Sequence, residues 1–264
     1  MSRSGSVFPA EPGSQRSSQP PIQGEGDIRI ESAHAIRDIV LCRRDKKNAL
    51  TLAMYETLQA TLRATADDES INVVVLRSSG GAYCVGDDIG APSADPAPRD
   101  DEVHAFARVQ ADFLRALARF QKPIIAAVNG LAGGVGAMMI LYCDVVIASE
   151  FAALEFSSVR LGLVPDRTSC ALLHSRIGLQ RASELLLFGE RMKADEALRL
   201  GLVNAVVPLE NLHGSTRARA QALSELPQGA AREVKRRLHE AHTLAPEGEH
   251  EGRDRSVNGG GTVL

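Results

Sequence analysis

Two glycine-bearing turns hold the residues whose types and spacing best suit chemistry. The first runs Gly80-Gly81-Ala82-Tyr83-Cys84-Val85-Gly86-Asp87-Asp88-Ile89, and the second Asn129-Gly130-Leu131-Ala132-Gly133-Gly134-Val135-Gly136. Small residues let a ligand approach the main chain closely. The second turn opens directly into a helical pattern. The first N–H groups of a helix have no internal acceptor, so they can bind an anionic oxygen. Two such turns, brought together, would place a pair of N–H donors around one oxygen. The same glycines would equally serve tight turns and close helix packing, and the residues alone leave both readings open. A phosphate loop is excluded, because no Gly-Lys-Ser/Thr ending occurs and no Gly-x-Gly-x-x-Gly opens a helix.

A third candidate is Gly162-Leu163-Val164-Pro165-Asp166-Arg167-Thr168-Ser169, just ahead of another helical pattern. An Asp at a helix start is usually a cap. Glu155, Arg160 and His174 lie nearby in the sequence. Glu155 reads as part of a solvated strand face. His174 has no ligand partner three or four residues away, so it reads as a packing or surface residue rather than a metal ligand.

The elements that must position these turns are visible as short apolar runs alternating with helical patterns. Residues 36–42, 72–77, 123–128 and 145–148 read as strands, the middle two buried on both faces. Leu52, Tyr55, Leu58 and Leu62 recur at steps of three and four, which is one face of a helix. Helical period returns over 103–120, over a Gly- and Ala-rich segment ending near Cys143, and from about 167 to 241 with a break at 202–208. Strand, helix, strand, helix is the order of an α/β protein.

The 264 residues are 44% hydrophobic and 24% charged, as expected of a globular domain with a sizeable core. The formal charge of −3, without a block of five like charges, argues against a nucleic-acid or membrane-surface binder. Aromatics make up 4% with no Trp, which removes stacking platforms for single strands. The Lys235-Arg236-Arg237 cluster reads as a solvated face. No apolar run reaches the ~18 residues of a membrane span. Cys42, Cys84, Cys143 and Cys170 are isolated, so reduced, mostly buried thiols in a cytoplasmic protein are expected. Residues 1–25 and 243–264 are polar and Gly-, Ser- or Pro-rich, and disorder is expected in both. A transit peptide is weakly indicated at best, since Glu11 breaks the acid-poor pattern.

Four motifs in order carry a family resemblance: Arg44-Asp45-Lys46-Lys47-Asn48-Ala49-Leu50-Thr51; Ala82 through Ile89; Lys122-Pro123 through Asn129-Gly130 to Cys143-Asp144; and Leu161-Gly162-Leu163-Val164-Pro165-Asp166. Ala194-Asp195-Glu196-Ala197 and Gly201-Leu202-Val203 follow them. Over about residues 28–241 the chain resembles the crotonase family, the enoyl-CoA hydratase/isomerase superfamily. The resemblance implies an α/β fold, a spiral of strand-strand-helix turns over residues 26–200 with a helical C-terminal region over 201–242. It implies an acyl-CoA thioester as substrate, with no cofactor beyond the CoA of the substrate itself, no metal, and assembly as a homotrimer or hexamer. It implies an oxyanion hole made by the N–H groups of Asp87 and Val135, and CoA or substrate contacts at Lys46, Lys47, Ala49, Leu50, Asp88, Ile89 and Gly134.

Departures from the family pattern bear on the reaction. Hydratases of this family use two glutamates, because adding water needs one group to activate it and another to deliver a proton. Here Met138 and Ser158 occupy those places. Asp166 stands where several isomerases of the superfamily carry their acid, so it is the expected catalytic carboxylate. One carboxylate suffices to take a proton from C2 of a 3-enoyl-CoA and return it at C4 while the oxyanion hole holds the dienolate. The expected activity is therefore an enoyl-CoA isomerase. A hydratase with an atypical site, a nucleophilic Asp166 as in aryl-CoA dehalogenases, and a non-catalytic acyl-CoA-binding homologue are the alternatives. The dehalogenase reading is disfavoured by the missing Trp.

Overall fold

The computed structural model describes residues 26–89 and 100–243. The tails expected at 1–25 and 243–264 lie outside the described residues, except Thr243, which ends the last helix.

Strands β1 (Ile28–Ala33) and β2 (Ile36–Leu41) form an antiparallel hairpin. His34 and Ala35 turn it with φ of 53° and 59°. Positive φ at both central residues matches the twist of the flanking strands. A helix, α1 (Leu52–Asp67), then leads to β3 (Val73–Ser78), which pairs parallel to β2. Thr51 caps α1, its hydroxyl accepting from the Met54 N–H at 3.2 Å. The buried face of α1 is Met54, Tyr55, Leu58 and Leu62, while Leu52 is left largely exposed. The expected periodicity thus holds with Met54 in place of Leu52.

From β3 the chain repeats one pattern. A strand enters a large sheet, a short strand a few residues later enters a small one, and a helix carries the chain back. β3 is followed by β4 (Ala82–Cys84) and α2 (Asp100–Arg119). Next come β5 (Ile124–Val128), β6 (Leu131–Gly133) and α3 (Val135–Leu141). Then follow β7 (Val145–Ser149) and β8 (Ala153–Glu155). The large sheet has the order β1-β2-β3-β5-β7-β10, parallel from β2 onward, and the small sheet the order β4-β6-β8-β9. This is the strand-strand-helix spiral that the sequence led one to expect.

The C-terminal region contains α4 (Arg167–Ile177), α5 (Leu179–Phe188), β9 (Arg191–Lys193), α6 (Ala194–Arg199), β10 (Ala205–Val207), α7 (Leu209–Ser224) and α8 (Gln228–Thr243). Two three-residue strands interrupt the expected helical stretch. β10 occupies the break at 202–208, whereas β9 is too short to show a period of its own.

The main core lies between the large sheet, the small sheet and helices α1 to α3. A second cluster, Ile36, Val73, Val75, Ile125 and Ala220, packs the other sheet face against α7. Burial on both faces explains why β3 and β5 read as unbroken apolar runs. Cys84 and Cys143 are buried and Cys42 and Cys170 half-buried, all as free thiols. Burial pushes the Cys84 and Cys143 thiols up to about 12.

The Lys235 expectation needs correction. Lys235 is buried, and its ammonium donates to the Lys122 carbonyl at 2.9 Å and pairs with Asp144 at 2.7 Å. That docks α8 against the start of β5, whose Ile124 N–H donates to the same carboxylate at 2.7 Å. A basic triplet hid one buried member; Arg236 and Arg237 do form the solvated face, where both pair with Glu233.

Glycine is required where the small sheet meets α3. A Cβ on Gly136 would lie 2.2 Å from the Cys84 carbonyl oxygen, and one on Gly130 would lie 2.2 Å from the Gly81 oxygen. Gly136→Ala and Gly130→Ala are each expected to cost at least the ~1–3 kcal/mol typical of overpacking. Gly214→Ala, in the middle of α7 where a Cβ meets nothing within 4 Å, is expected to be neutral or to stabilise by up to ~1 kcal/mol. Urea denaturation of the three variants checks the contrast.

Candidate functional site

The two glycine turns meet. Gly86 and Gly134 are in contact, and a Cβ on Gly134 would lie 3.5 Å from the Gly86 Cα. Gly134 also has φ of 52° and precedes the first turn of α3. Val135 is the first residue of that helix, where a main-chain N–H has no intrahelical acceptor. On the facing turn, Leu50 forms a parallel bridge to Asp87. The Leu50 N–H donates to the Gly86 carbonyl at 2.8 Å, and its carbonyl accepts from the Asp88 N–H at 2.9 Å. In a parallel bridge the residue between those two partners directs its own N–H the other way. Among the described residues, neither the Asp87 nor the Val135 N–H is used in the bonds that hold these turns.

Asp87, Gly134 and Val135 line one cavity of about 170 Å³. Val85, Ile89, Phe106, Leu163 and Val164 give it apolar walls, and Gln110, Ser157 and Ser158 add polar groups. Across Val85 lies a more open cleft of about 400 Å³, lined by Arg44, Lys47, Asn48 and Leu131 among others. The arrangement can hold one polarised oxygen between two main-chain donors, with an apolar group in the small cavity and an anionic group near the basic cleft.

The Asp87 side chain is part of the cavity wall. Its Oδ1 accepts from the Tyr55 hydroxyl at 2.5 Å and its Oδ2 from Gln110 Nε2 at 2.8 Å. Burial pushes its carboxyl up to about 6, against the opposing effect of the Tyr55 hydrogen bond. Burial, reinforced by the Asp87 charge, raises the Tyr55 phenol well above its ordinary value. Sequence reasoning used only the main chain of Asp87 and took Tyr55 as plain core. The available signal was a Tyr on a buried helix face, whose hydroxyl needs a partner.

The remaining sequence-predicted residues divide between wall and scaffold. Ile89 and Gly134 line the cavity, and Lys47 lines the cleft. Lys46 is exposed beside it. Ala49 and Leu50 are buried and support the turn. Asp88 pairs with Arg43 at 2.7 Å, and the same guanidinium donates to the Ala49 carbonyl at 3.1 Å. Asn48 entered the sequence analysis only as a member of the 44–51 motif, with no role of its own. It is fully buried and ties the 44–50 loop to the small sheet by donating to the Ser79 and Ala82 carbonyls at 2.9 and 2.8 Å.

Met138 is buried in α3 and contributes nothing to the cavity wall, while Ser158 does line it. Asp166 is not among the lining residues. It is the N-cap of α4, where its Oδ1 accepts from the Ser169 N–H at 2.9 Å and from the Tyr142 hydroxyl at 3.1 Å. Its Oδ2 accepts from the Ser169 hydroxyl. The structure therefore brings Asp87, Val135, Gly134, Ile89 and Ser158 together around the cavity, while Asp166 caps α4. Among the described residues, no group of three or more His, Cys, Asp or Glu could hold a metal ion, and no helix is long and apolar enough to cross a membrane.

A two-sheet spiral whose glycine turns present paired main-chain donors to one cavity defines a crotonase-like protein. The chain belongs to the enoyl-CoA hydratase/isomerase family, whose model matches residues 31–257. A Rhodobacter capsulatus protein named "Probable enoyl-CoA hydratase" is 36% identical over 213 residues, covering 80% of each chain. The 1,2-epoxyphenylacetyl-CoA isomerase of Escherichia coli is 31% identical over 209 residues, covering 79% of this chain and 80% of that one. Among solved structures, an enoyl-CoA hydratase subunit I from Geobacillus kaustophilus superposes with a TM-score of 0.75 at 35% identity, over 83% of both chains. Hydratases and isomerases thus both stand among the relatives.

Two measurements follow from the carboxylates. Asp87 has a raised folded value near 6 against 3.8 for the free group. It stabilises the fold fully below pH ~4, and that contribution is lost as pH rises through ~6, by on the order of 3 kcal/mol. Asp87→Asn is expected to flatten this part of the stability–pH curve, measured by urea denaturation from pH 4 to 8. Asp166→Ala is expected to cost ~0.5–2 kcal/mol, whereas Asp166→Asn, which still caps, should cost far less in the same assay.

Proposed function

We propose that the protein is an enoyl-CoA isomerase that moves a double bond in an acyl-CoA thioester. One carboxylate carries the proton, and the N–H groups of Asp87 and Val135 hold the thioester oxygen. The observation that carries this reading is the composition of the cavity wall. Among the described residues it contains a single carboxylate, and the two places where the family's hydratases carry glutamates hold a Met and a Ser. Hydration requires one group to activate water and another to deliver a proton, whereas migration requires one group to take a proton and give it back.

The chemistry proceeds without an external reactant. A carboxylate removes a proton from C2 of a 3-enoyl-CoA, and the C2–H electron pair moves into the thioester, leaving a dienolate whose oxygen is held by the two donors. Each preorganised donor is typically worth about 2.7–4 kcal/mol in such a transition state. The carboxylic acid then delivers the proton to C4. The oxygen's charge returns to the carbonyl, and the double bond lies between C2 and C3.

Val85, Ile89, Phe106, Leu163 and Val164 suit an apolar acyl group, and Arg44 and Lys47 suit the anionic CoA portion in the neighbouring cleft. Assembly as a homotrimer or hexamer and a cytoplasmic setting belong to the same proposal. The hydroxyls of Ser157 and Ser158 in the wall favour a second reading, an atypical hydratase in which they hold a water.

Purified protein incubated in deuterated water with a 3-enoyl-CoA, and separately with the 2-enoyl-CoA, separates the two by product mass. The expected result is double-bond migration with no gain of water. Formation of 3-hydroxyacyl-CoA would replace the isomerase with the hydratase.

A further inference from the structure

The proposed proton transfer needs one carboxylate within reach of the thioester. We propose that the Asp87 side chain is that carboxylate, so that one residue supplies both a main-chain donor to the thioester oxygen and the group that moves the proton. This rests on the reading of the cavity as a thioester-enolising site.

Three observations converge on Asp87. First, among the described residues lining the cavity it is the one carboxylate, and it stands on the turn that carries the N–H donor. Second, its two oxygens each accept one hydrogen bond, from Tyr55 and from Gln110. A carboxylate offers about four acceptor positions, so two remain for a substrate proton. The Tyr55 ring is fixed in turn by an edge-on contact with Phe113, with centroids 5.5 Å apart, and Gln110 stands on α2 in the same wall. The carboxyl is thus held from two elements rather than swinging free. Asp166 presents the opposite picture: three bonds, one of them to the helix end it caps, and no place in the wall.

The third argument is electrostatic. An enolate oxygen held by the Asp87 N–H lies beside the Asp87 side chain. If another group took the proton while Asp87 stayed ionised, two negative charges would share one poorly solvated pocket, which is strongly unfavourable. If Asp87 itself takes the proton, the site carries a single negative charge throughout. The charge leaves the carboxylate as it appears on the thioester oxygen, and it returns when the O–H bond breaks and the C4–H bond forms. Burial, by bringing the Asp87 carboxyl up to about 6, matches it to a proton that must be both accepted and released near neutrality.

The experiment compares wild type, D87N, D166N and Y55F on one probe, a 3-enoyl-CoA in deuterated water, with two readouts: deuterium entering at C2 and migration of the double bond. D87N is expected to lose both by ~10²–10⁴-fold, the usual weight of a positioned acid–base group, while binding the CoA thioester within a few-fold of wild type. Wild-type kcat/KM is expected to fall below pH ~6, where Asp87 becomes protonated. Because the Tyr55 hydrogen bond holds the Asp87 carboxyl down, Y55F is expected to move that acid limb to higher pH. A merely structural Tyr55 would lower activity without moving the limb. If D87N does not fold, the Y55F limb decides: an unmoved limb overturns the proposal.

Exchange retained in D87N and lost in D166N gives the role to Asp166 and overturns it as well. Wild-type exchange that D87N abolishes, without migration, keeps Asp87 as the base and removes the isomerase reading. A wild type that neither exchanges nor migrates overturns both.

Discussion

The structure turns on a main-chain contact without side chains. Gly130 lies against Gly81 and Gly136 against Cys84, each too close for a methyl group to pass unaccommodated, while Gly86 and Gly134 meet at ordinary contact distance with φ of 119° and 52° that favour glycine. These contacts bring successive spiral turns together at the small sheet. They also set the spacing between the start of α3 and the Asp87 turn, and hence the spacing of the two donors. Packing elsewhere tolerates compensation, since a side chain can shift or change rotamer. Backbone against backbone offers no such slack, because the atoms in conflict belong to main chain fixed by the adjoining short strands and α3.

Around that contact the polar groups are sorted by what they can still accept or donate. Asp88 neutralises Arg43 and steadies the loop carrying Ala49 and Leu50. Asp144 neutralises Lys235 and anchors the last helix. Asp166 closes a helix end. Each of these carboxylates has its partners in the scaffold. Asp87 is held by two neutral donors instead, in a pocket with no basic side chain among the described residues of its wall. Neutral partners fix orientation without pulling the carboxyl firmly toward its charged form.

Much of the fold could be read before the structure. The strands over 36–42, 72–77, 123–128 and 145–148 appeared because burial on both faces leaves continuous apolar runs. α1 appeared because one apolar face recurs at helical steps. β9 did not, since three residues carry no period and its pairing with β8 is set by the turn of the chain rather than by composition. In the site, the two glycine turns and their donors were legible because glycine spacing and a helix start carry a physical meaning on their own. The partners of Asp87 were not. Tyr55 and Gln110 lie 32 and 23 residues away on different helices, and only the folded spiral brings them together. Asp166 shows the converse. Local sequence predicts a cap, the family resemblance predicts a carboxylate in chemistry, and the hydrogen bonds present are those of the cap. Lys235 was misread for a related reason: its burial depends on Asp144, 91 residues away, and not on its basic neighbours.

The bridge between Leu50 and Asp87 has a mechanical meaning. Leu50 bonds on both sides of Asp87, and the loop just before it, Arg44 to Asn48, forms the wall of the open cleft. A ligand's handle gripped by that loop and a reacting carbon placed in the small cavity are therefore joined through two hydrogen bonds of main chain. Affinity gained at a part of the ligand that undergoes no change can then be converted into alignment where bonds are remade. A short surrogate lacking the handle would lose turnover as well as grip.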